Sequence, residues 1–128
     1  MRLLLDTHAF IWWIAGNPSL SATAQAAIDD PTNDVFVSAA SAWEIATKHR
    51  IGKLPDAAAL AADVEAAIAD QGFAALPITI RHAQLAGSLP GPHRDPFDRM
   101  LIAQAILESA TLLSNETVFD AHGVNRLW

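Results

Sequence analysis

Residues 3–13 read LLLDTHAFIWW, and this stretch decides how the chain folds. The three leucines form a short apolar run that predicts a buried strand, and the residues from His8 onward predict a helix packed against it. Asp6 closes the strand. A carboxylate at the end of a buried strand is costly to leave unpaired, and ligands of open α/β sheets bind at the carboxyl ends of strands. Asp6 is therefore the first candidate functional residue.

The composition indicates a globular protein, because 52% of its 128 residues are hydrophobic and 17% are charged. We expect a single domain over residues 1–128. No apolar run is long enough for a transmembrane helix, and the leucines before Asp6 are too few for a signal peptide. The absence of cysteine excludes disulfides and thiolate metal sites. The expectation is a cytoplasmic protein that does not associate with membranes.

The net charge of −6 argues at first against a nucleic-acid partner. The basic residues are clustered, however, and a basic rim around an acidic centre can hold a polyanion locally. An ordinary alternative is that Lys48 pairs with Glu44, and Arg99 with Asp95, one helical turn apart. Five of the eight basic side chains lie in two short windows: Lys48, Arg50, Lys53, Arg94 and Arg99.

Short apolar runs alternate with helical periods along the chain, which predicts an α/β fold with a mainly parallel sheet covered on both faces. Strands are predicted at 2–5, 35–37, 73–76, 112–114 and 125–128. Helices are predicted at about 8–15, 21–30, 38–52, 56–70, 79–88, 95–108 and 117–121. For the helix that carries Glu44, Ser38 and Ser41 are both plausible N-caps.

Three further acids occupy positions comparable to that of Asp6. Glu44 follows a run of small residues in a helix, Asp98 lies in the first turn of the helix that begins at Asp95-Pro96, and Glu116 follows an apolar strand. Each has an ordinary interpretation as a solvated side chain or a helix cap. If the fold brings the acids together, they repel one another, and a divalent cation relieves that repulsion. A non-catalytic protein-binding module whose acids cap helices stays open.

Four motifs in order resemble the PIN-domain nucleases. They are LLDT at 4–7, SAWEI at 41–45, DRMLIAQA at 98–105 and LLSNE at 112–116. More narrowly, the chain is similar to the VapC toxins of type II toxin–antitoxin systems. The similarity extends from Asp6 to the closing residues 122–128. It implies a three-layer α/β/α domain with a central sheet of four to five strands.

The resemblance also implies a Mg²⁺ or Mn²⁺ site. Asp6 and Asp98 would ligate the ion, Glu44 would be a third acid on it, and Glu116 would be an auxiliary catalytic acid where the family usually has Asp. Two hydroxyl groups, those of Thr7 and Ser114, would orient carboxylates and water. Asp95 is interpreted mainly as the cap of the Asp98 helix and as the reserve ligand. The five histidines show no spacing typical of a zinc site.

The implied activity is a metal-dependent endoribonuclease that acts as the toxin of a toxin–antitoxin pair. A small antitoxin would cover the acidic groove, and the toxin would form a homodimer. The tryptophans are candidates for these surfaces, although core packing is an equally good explanation for Trp43. The residues expected to hold RNA phosphates are Lys48, Arg50, Arg94 and Arg99. The RNA target and the number of metal ions are left open.

Overall fold

The computed structural model describes residues 1–128. The strands are β1 (Arg2–Leu5), β2 (Asp34–Ser38), β3 (Ala74–Leu76), β4 (Thr111–Leu113) and β5 (Arg126–Leu127). The α-helices are α1 (Thr7–Ala15), α2 (Ala22–Asp29), α3 (Ala39–Arg50), α4 (Ala58–Ala62), α5 (Val64–Asp70), α6 (Ile80–Ser88) and α7 (Pro96–Leu107). Two 3₁₀ helices cover Pro55–Ala57 and Thr117–His122. None of these helices has the length and apolar character needed to cross a membrane.

All five strands are parallel and lie in the order β3-β2-β1-β4-β5. The mainly parallel sheet predicted from the sequence is thus confirmed. In the register, Leu4 of β1 faces Phe36 on one side and Leu112 on the other. The chain proceeds outward from β1 to β3 and then returns to the other side of β1. The carboxyl ends of β1 and β4 therefore flank the switch point, where α/β sheets bind ligands.

The sheet is buried on both faces, because alternate residues of each strand point to opposite sides. Leu3 and Leu5 of β1 belong to a core that includes Phe10 of α1 and Ile45 of α3. Leu4 belongs to a second core, formed with α7 and the 3₁₀ helix after β4. The three layers expected from the sequence are therefore present.

One helix prediction was wrong. The alanine-rich segment 56–70 is not continuous: it begins with a 3₁₀ turn and is then divided into α4 and α5. The break is at Asp63, whose backbone is extended (φ −156°) and whose carboxylate accepts a hydrogen bond of 3.0 Å from the Ala66 amide. Asp favours N-cap positions, and here capping prevails over the helix propensity of the surrounding alanines.

Candidate active site at the carboxyl edge of the sheet

Asp6 lies where β1 ends and α1 begins, beside the end of β4. Its backbone amide donates to the Leu113 carbonyl (3.0 Å), and its carboxylate accepts a hydrogen bond of 2.7 Å from the Ala9 amide. Asp6, and not Thr7, is therefore the N-cap of α1. The residue is only 4% exposed. Strand pairing places the buried Ser114, which follows β4, next to it.

The electrostatic environment of Asp6 disfavours an isolated negative charge. Burial raises the pKa of its carboxyl, and the nearby charge of Glu116 acts in the same direction. Hydrogen bonding by the Ser114 side chain and the Ala9 amide opposes this but does not cancel it. Asp6 and Glu116 therefore lie close enough to repel one another, which is the condition that the sequence left to the fold.

Glu44 is buried rather than solvated, at 4% exposure. Its Oε1 lies 2.6 Å from the Thr7 hydroxyl, which is also 3.0 Å from the Ser41 hydroxyl. Because Thr7 has one proton to donate, it donates to the carboxylate and accepts from Ser41. The other carboxylate oxygen is paired with Lys48, one turn along α3. Ser38 caps α3, which leaves Ser41 free for this contact.

Asp95 and Asp98 have different roles in α7. Asp95 is the N-cap and accepts hydrogen bonds from the amides of Phe97 (2.9 Å) and Asp98 (3.2 Å), as predicted. Burial raises the pKa of Asp98 to about 6, and the charges of Asp95 and Glu116 add to the effect. Helix capping is thus a sufficient structural reason for an aspartate at positions 6 and 95. It does not account for the acids at positions 44 and 98, because neither Glu44 nor Asp98 caps a helix.

His93 is a site residue that the sequence interpretation missed. Its Nε2 lies 3.1 Å from Asp98 Oδ2, and this contact partly offsets the rise in the pKa of Asp98. The imidazole also packs against Phe119 and His122, with ring centroids 6.4 and 5.7 Å away. The spacing of the histidines bears only on zinc binding and does not indicate this contact. One feature of the sequence could have indicated this contact. His93 precedes the Asp95 cap by two residues, so it lies in the loop that leads to the Asp98 carboxylate.

The four basic residues expected to hold RNA have different environments. Arg99 does not pair with Asp95: its guanidinium donates to backbone carbonyls of the segment before α7, namely those of Ala86, Leu89 and His93. These bonds use three of its five N–H donors, so Arg99 is assigned to holding this segment in place and is left out of the proposed RNA surface. Lys48 is half-buried against Glu44, whereas Arg50 and Arg94 are exposed.

The donor atoms of this site suit a hard divalent cation, because carboxylate and hydroxyl oxygens are the ligands that Mg²⁺ and Mn²⁺ prefer. Burial and the charge of Glu116 both raise the pKa of Asp6 and of Asp98, so a bound cation would relieve an unfavourable negative charge here. No three His, Asp or Glu side chains lie in a ligating arrangement in the structure. The carboxylates of Glu44 and Asp98 accept hydrogen bonds from protein donors instead.

The family follows from a comparison with known proteins. The PIN domain family model matches residues 3–125, and the chain therefore belongs to the PIN domain family. The resemblance seen in the four sequence motifs is confirmed.

Several characterised proteins are similar to this chain. Ribonuclease VapC16 from Mycobacterium tuberculosis is 49% identical over 43 residues, which make up 30% of this chain and 30% of that relative. VapBC2 from Rickettsia felis, bound to promoter DNA, aligns over 99% of this chain and 98% of its own, with a TM-score of 0.73 and 16% identity. FitAcB from Neisseria gonorrhoeae aligns over 98% and 96%, with a TM-score of 0.68 and 20% identity. At these identities, the structural matches show a shared fold.

Proposed function

We propose that this chain is a Mg²⁺- or Mn²⁺-dependent endoribonuclease and the toxin of a toxin–antitoxin pair. The observation that carries the proposal is the convergence of acids at the switch point of the sheet. Asp6 follows β1, Glu116 follows β4, and the electrostatic effect of Glu116 reaches both Asp6 and Asp98. Membership of the PIN domain family and the partial match to a ribonuclease support the same reaction.

Asp6, Asp98 and Glu44 are the residues proposed to hold the ion. When bound, a divalent ion neutralises charge on the scissile phosphate and makes water a better nucleophile. The chain's own part is to hold these acids in fixed positions. The Ala9 amide holds Asp6, and Thr7 together with Lys48 holds Glu44.

His93 orients the third of these carboxylates, that of Asp98. Glu116 is proposed as an auxiliary acid: it is half-buried, and its amide donates a hydrogen bond of 3.0 Å to the Ser114 hydroxyl. Three basic side chains are proposed to contact RNA phosphates: exposed Arg50 and Arg94 and half-buried Lys48. Such contacts are needed because phosphates bind beside acidic residues only where cations offset the negative charge.

A small antitoxin is the proposed protein partner. Solved structures with this fold include VapBC complexes from Rickettsia felis and Haemophilus influenzae. Exposed apolar side chains are available for contact with such a partner or with a second copy of the chain, since Trp43 is 59% and Ile80 is 84% exposed. A neighbouring reading frame for a small DNA-binding protein would distinguish a toxin from a housekeeping nuclease.

The decisive experiment measures cleavage of single-stranded RNA by the purified chain in Mn²⁺, in Mg²⁺ and in EDTA. The unsubstituted chain should cleave RNA only with a divalent ion, and Asp6→Asn and Asp98→Asn should each reduce the rate at least about 100-fold. Asp70→Asn is the matched control, because Asp70 is exposed at the end of α5 and the same atoms change. Equal cleavage by all four proteins, or cleavage that survives EDTA, contradicts the proposal.

A further inference from the structure

A cavity of about 600 Å³ lies beside Asp6, between α1 and the segment that follows β4. It is open to solvent. Its lining combines aromatic, polar and acidic groups: His8, Trp12, Asn115, Glu116, Thr117 and Val118.

One wall of the cavity is aromatic. His8 and Trp12 are one turn apart on α1, so their rings lie on the same helix face, with centroids 5.8 Å apart. Trp12 packs from behind against Trp128, with centroids 5.9 Å apart. Both residues of the wall are half-buried, with their rings tilted by 38° to one another, so part of each side chain stays accessible.

The opposite wall is polar. Asn115 and Thr117 are exposed, and their amide and hydroxyl groups offer both donors and acceptors. Glu116 connects this wall to the acidic site: its Oε1 lies 4.0 Å from the Nδ1 of His8, which follows Asp6 by two residues. A molecule in the cavity is therefore adjacent to the acids.

We propose that this cavity binds one base of a single-stranded RNA, next to the phosphate that is cleaved at the acids. This assignment rests on the proposed nuclease function. The part of the RNA recognised on this side of the site is then a base, and not only the phosphate. A base stacks on the face of Trp12, as unpaired bases stack on aromatic side chains in RNA-binding proteins. Asn115 and Thr117 then contact its hydrogen-bonding edge, so this pair contributes to base preference. A purely apolar protein segment would leave those polar groups unpaired.

The test measures binding separately from cleavage. Short labelled RNAs that differ at a single base are titrated by fluorescence anisotropy, with Ca²⁺ replacing Mg²⁺. Trp12→Ala should weaken binding about 5- to 150-fold, and Trp12→Phe should retain much of the affinity because a ring remains. Asn115→Ala should reduce the difference in affinity between bases. Trp13→Ala is the control, since the Trp13 indole donates to Gln71 and packs on Phe73, and Trp13 does not line this cavity.

The outcomes separate the cavity from the nuclease. If the chain cleaves no RNA but Trp12→Ala still weakens RNA binding selectively, the cavity assignment stands and the nuclease proposal fails. If the chain cleaves RNA and Trp12→Ala binds it as tightly as Trp13→Ala does, the cavity assignment is overturned. The cavity assignment is also overturned if the unsubstituted chain binds no RNA. The same holds if Trp12→Phe binds no RNA although circular dichroism shows that the variant is folded. An effect of Trp12→Ala on binding of a partner protein alone assigns the cavity to that partner instead.

Discussion

Replacing Asp98 with asparagine should stabilise the protein in EDTA at neutral pH. The carboxyl of Asp98 has a pKa of about 6 in the folded protein against an ordinary value of 3.8, chiefly because of burial and then because of the charges of Asp95 and Glu116. The side chain is 19% exposed, so solvent screens it only in part. A difference of this size corresponds to about 3 kcal/mol of unfolding free energy. Since the neighbouring acids share the repulsion, a gain of about 1–3 kcal/mol is expected.

The sign follows from proton binding. Between about pH 4 and pH 6 the folded protein binds more protons at this position than the unfolded chain, so the unsubstituted protein loses stability as the pH rises through this range. The advantage of Asp98→Asn should therefore be absent near pH 3, grow between pH 4 and pH 6, and be full above about pH 6.5. Asparagine can still accept the hydrogen bond from His93, so packing is preserved.

The assay is thermal unfolding in EDTA and in Mn²⁺ across this pH range. For a chain of this size, 1–3 kcal/mol corresponds to a rise in Tm of roughly 3–12 °C above pH 6.5. Mn²⁺ at about 1,000 times its Kd should add about 4.1 kcal/mol to the unsubstituted protein and much less to Asp98→Asn, which would reverse their order. The control Asp70→Asn should stay within about 0.5 kcal/mol of the unsubstituted protein. A lower Tm for Asp98→Asn at pH 8 in EDTA, or a difference that does not change with pH, refutes the reasoning.

Two further substitutions test the contacts that hold the site. Thr7→Val removes the hydroxyl that donates to the buried Glu44 carboxylate, so the free energy of unfolding measured in urea should fall by about 1–3 kcal/mol. Thr7→Ser keeps a hydroxyl and should recover most of that stability. Equal losses in the two variants would contradict this role. Arg99→Lys removes the guanidinium that donates to three backbone carbonyls of residues 86–93, so a protease should cut this segment faster in limited proteolysis. The control is Arg94→Lys, an exposed substitution of the same kind, which should leave the rate of proteolysis unchanged. Resistance of Arg99→Lys to the protease would show that these bonds do not restrain the segment.

Short-range rules predicted most elements of this fold. The leucines before Asp6, the Asp95-Pro96 pair and the caps at Ser21 and Thr79 all act within one strand or one helical turn. Their effect is the same wherever the element lies in the molecule. The helix break at Asp63 shows the limit of such rules. An aspartate can lie inside a helix or can end it, depending on its backbone angles, and the local sequence did not show which of these applies to Asp63.

Parts of the site depended on residues far apart in sequence. Thr7 and Glu44 are 37 positions apart, and no local pattern indicates that Glu44 is the carboxylate that the Thr7 hydroxyl orients. Similarly, core packing was as good an expectation as exposure for Trp43, which lies on the surface of α3. Arg99 had an acid one turn away, yet it binds the carbonyls of a loop brought to it by the packing of α6 against α7.

The sequence by itself determined the alternation of strands and helices, the family, and the acids that follow β1, β2 and β4, because apolar periodicity and capping are properties of neighbouring residues. The tertiary structure alone decided that β1 and β4 are adjacent, which side chains hold Glu44 and Asp98, and that an aromatic cavity lies beside Asp6. These features are contacts between distant segments, and their free energy depends on burial and charge in the folded molecule, which no single stretch of the chain contains.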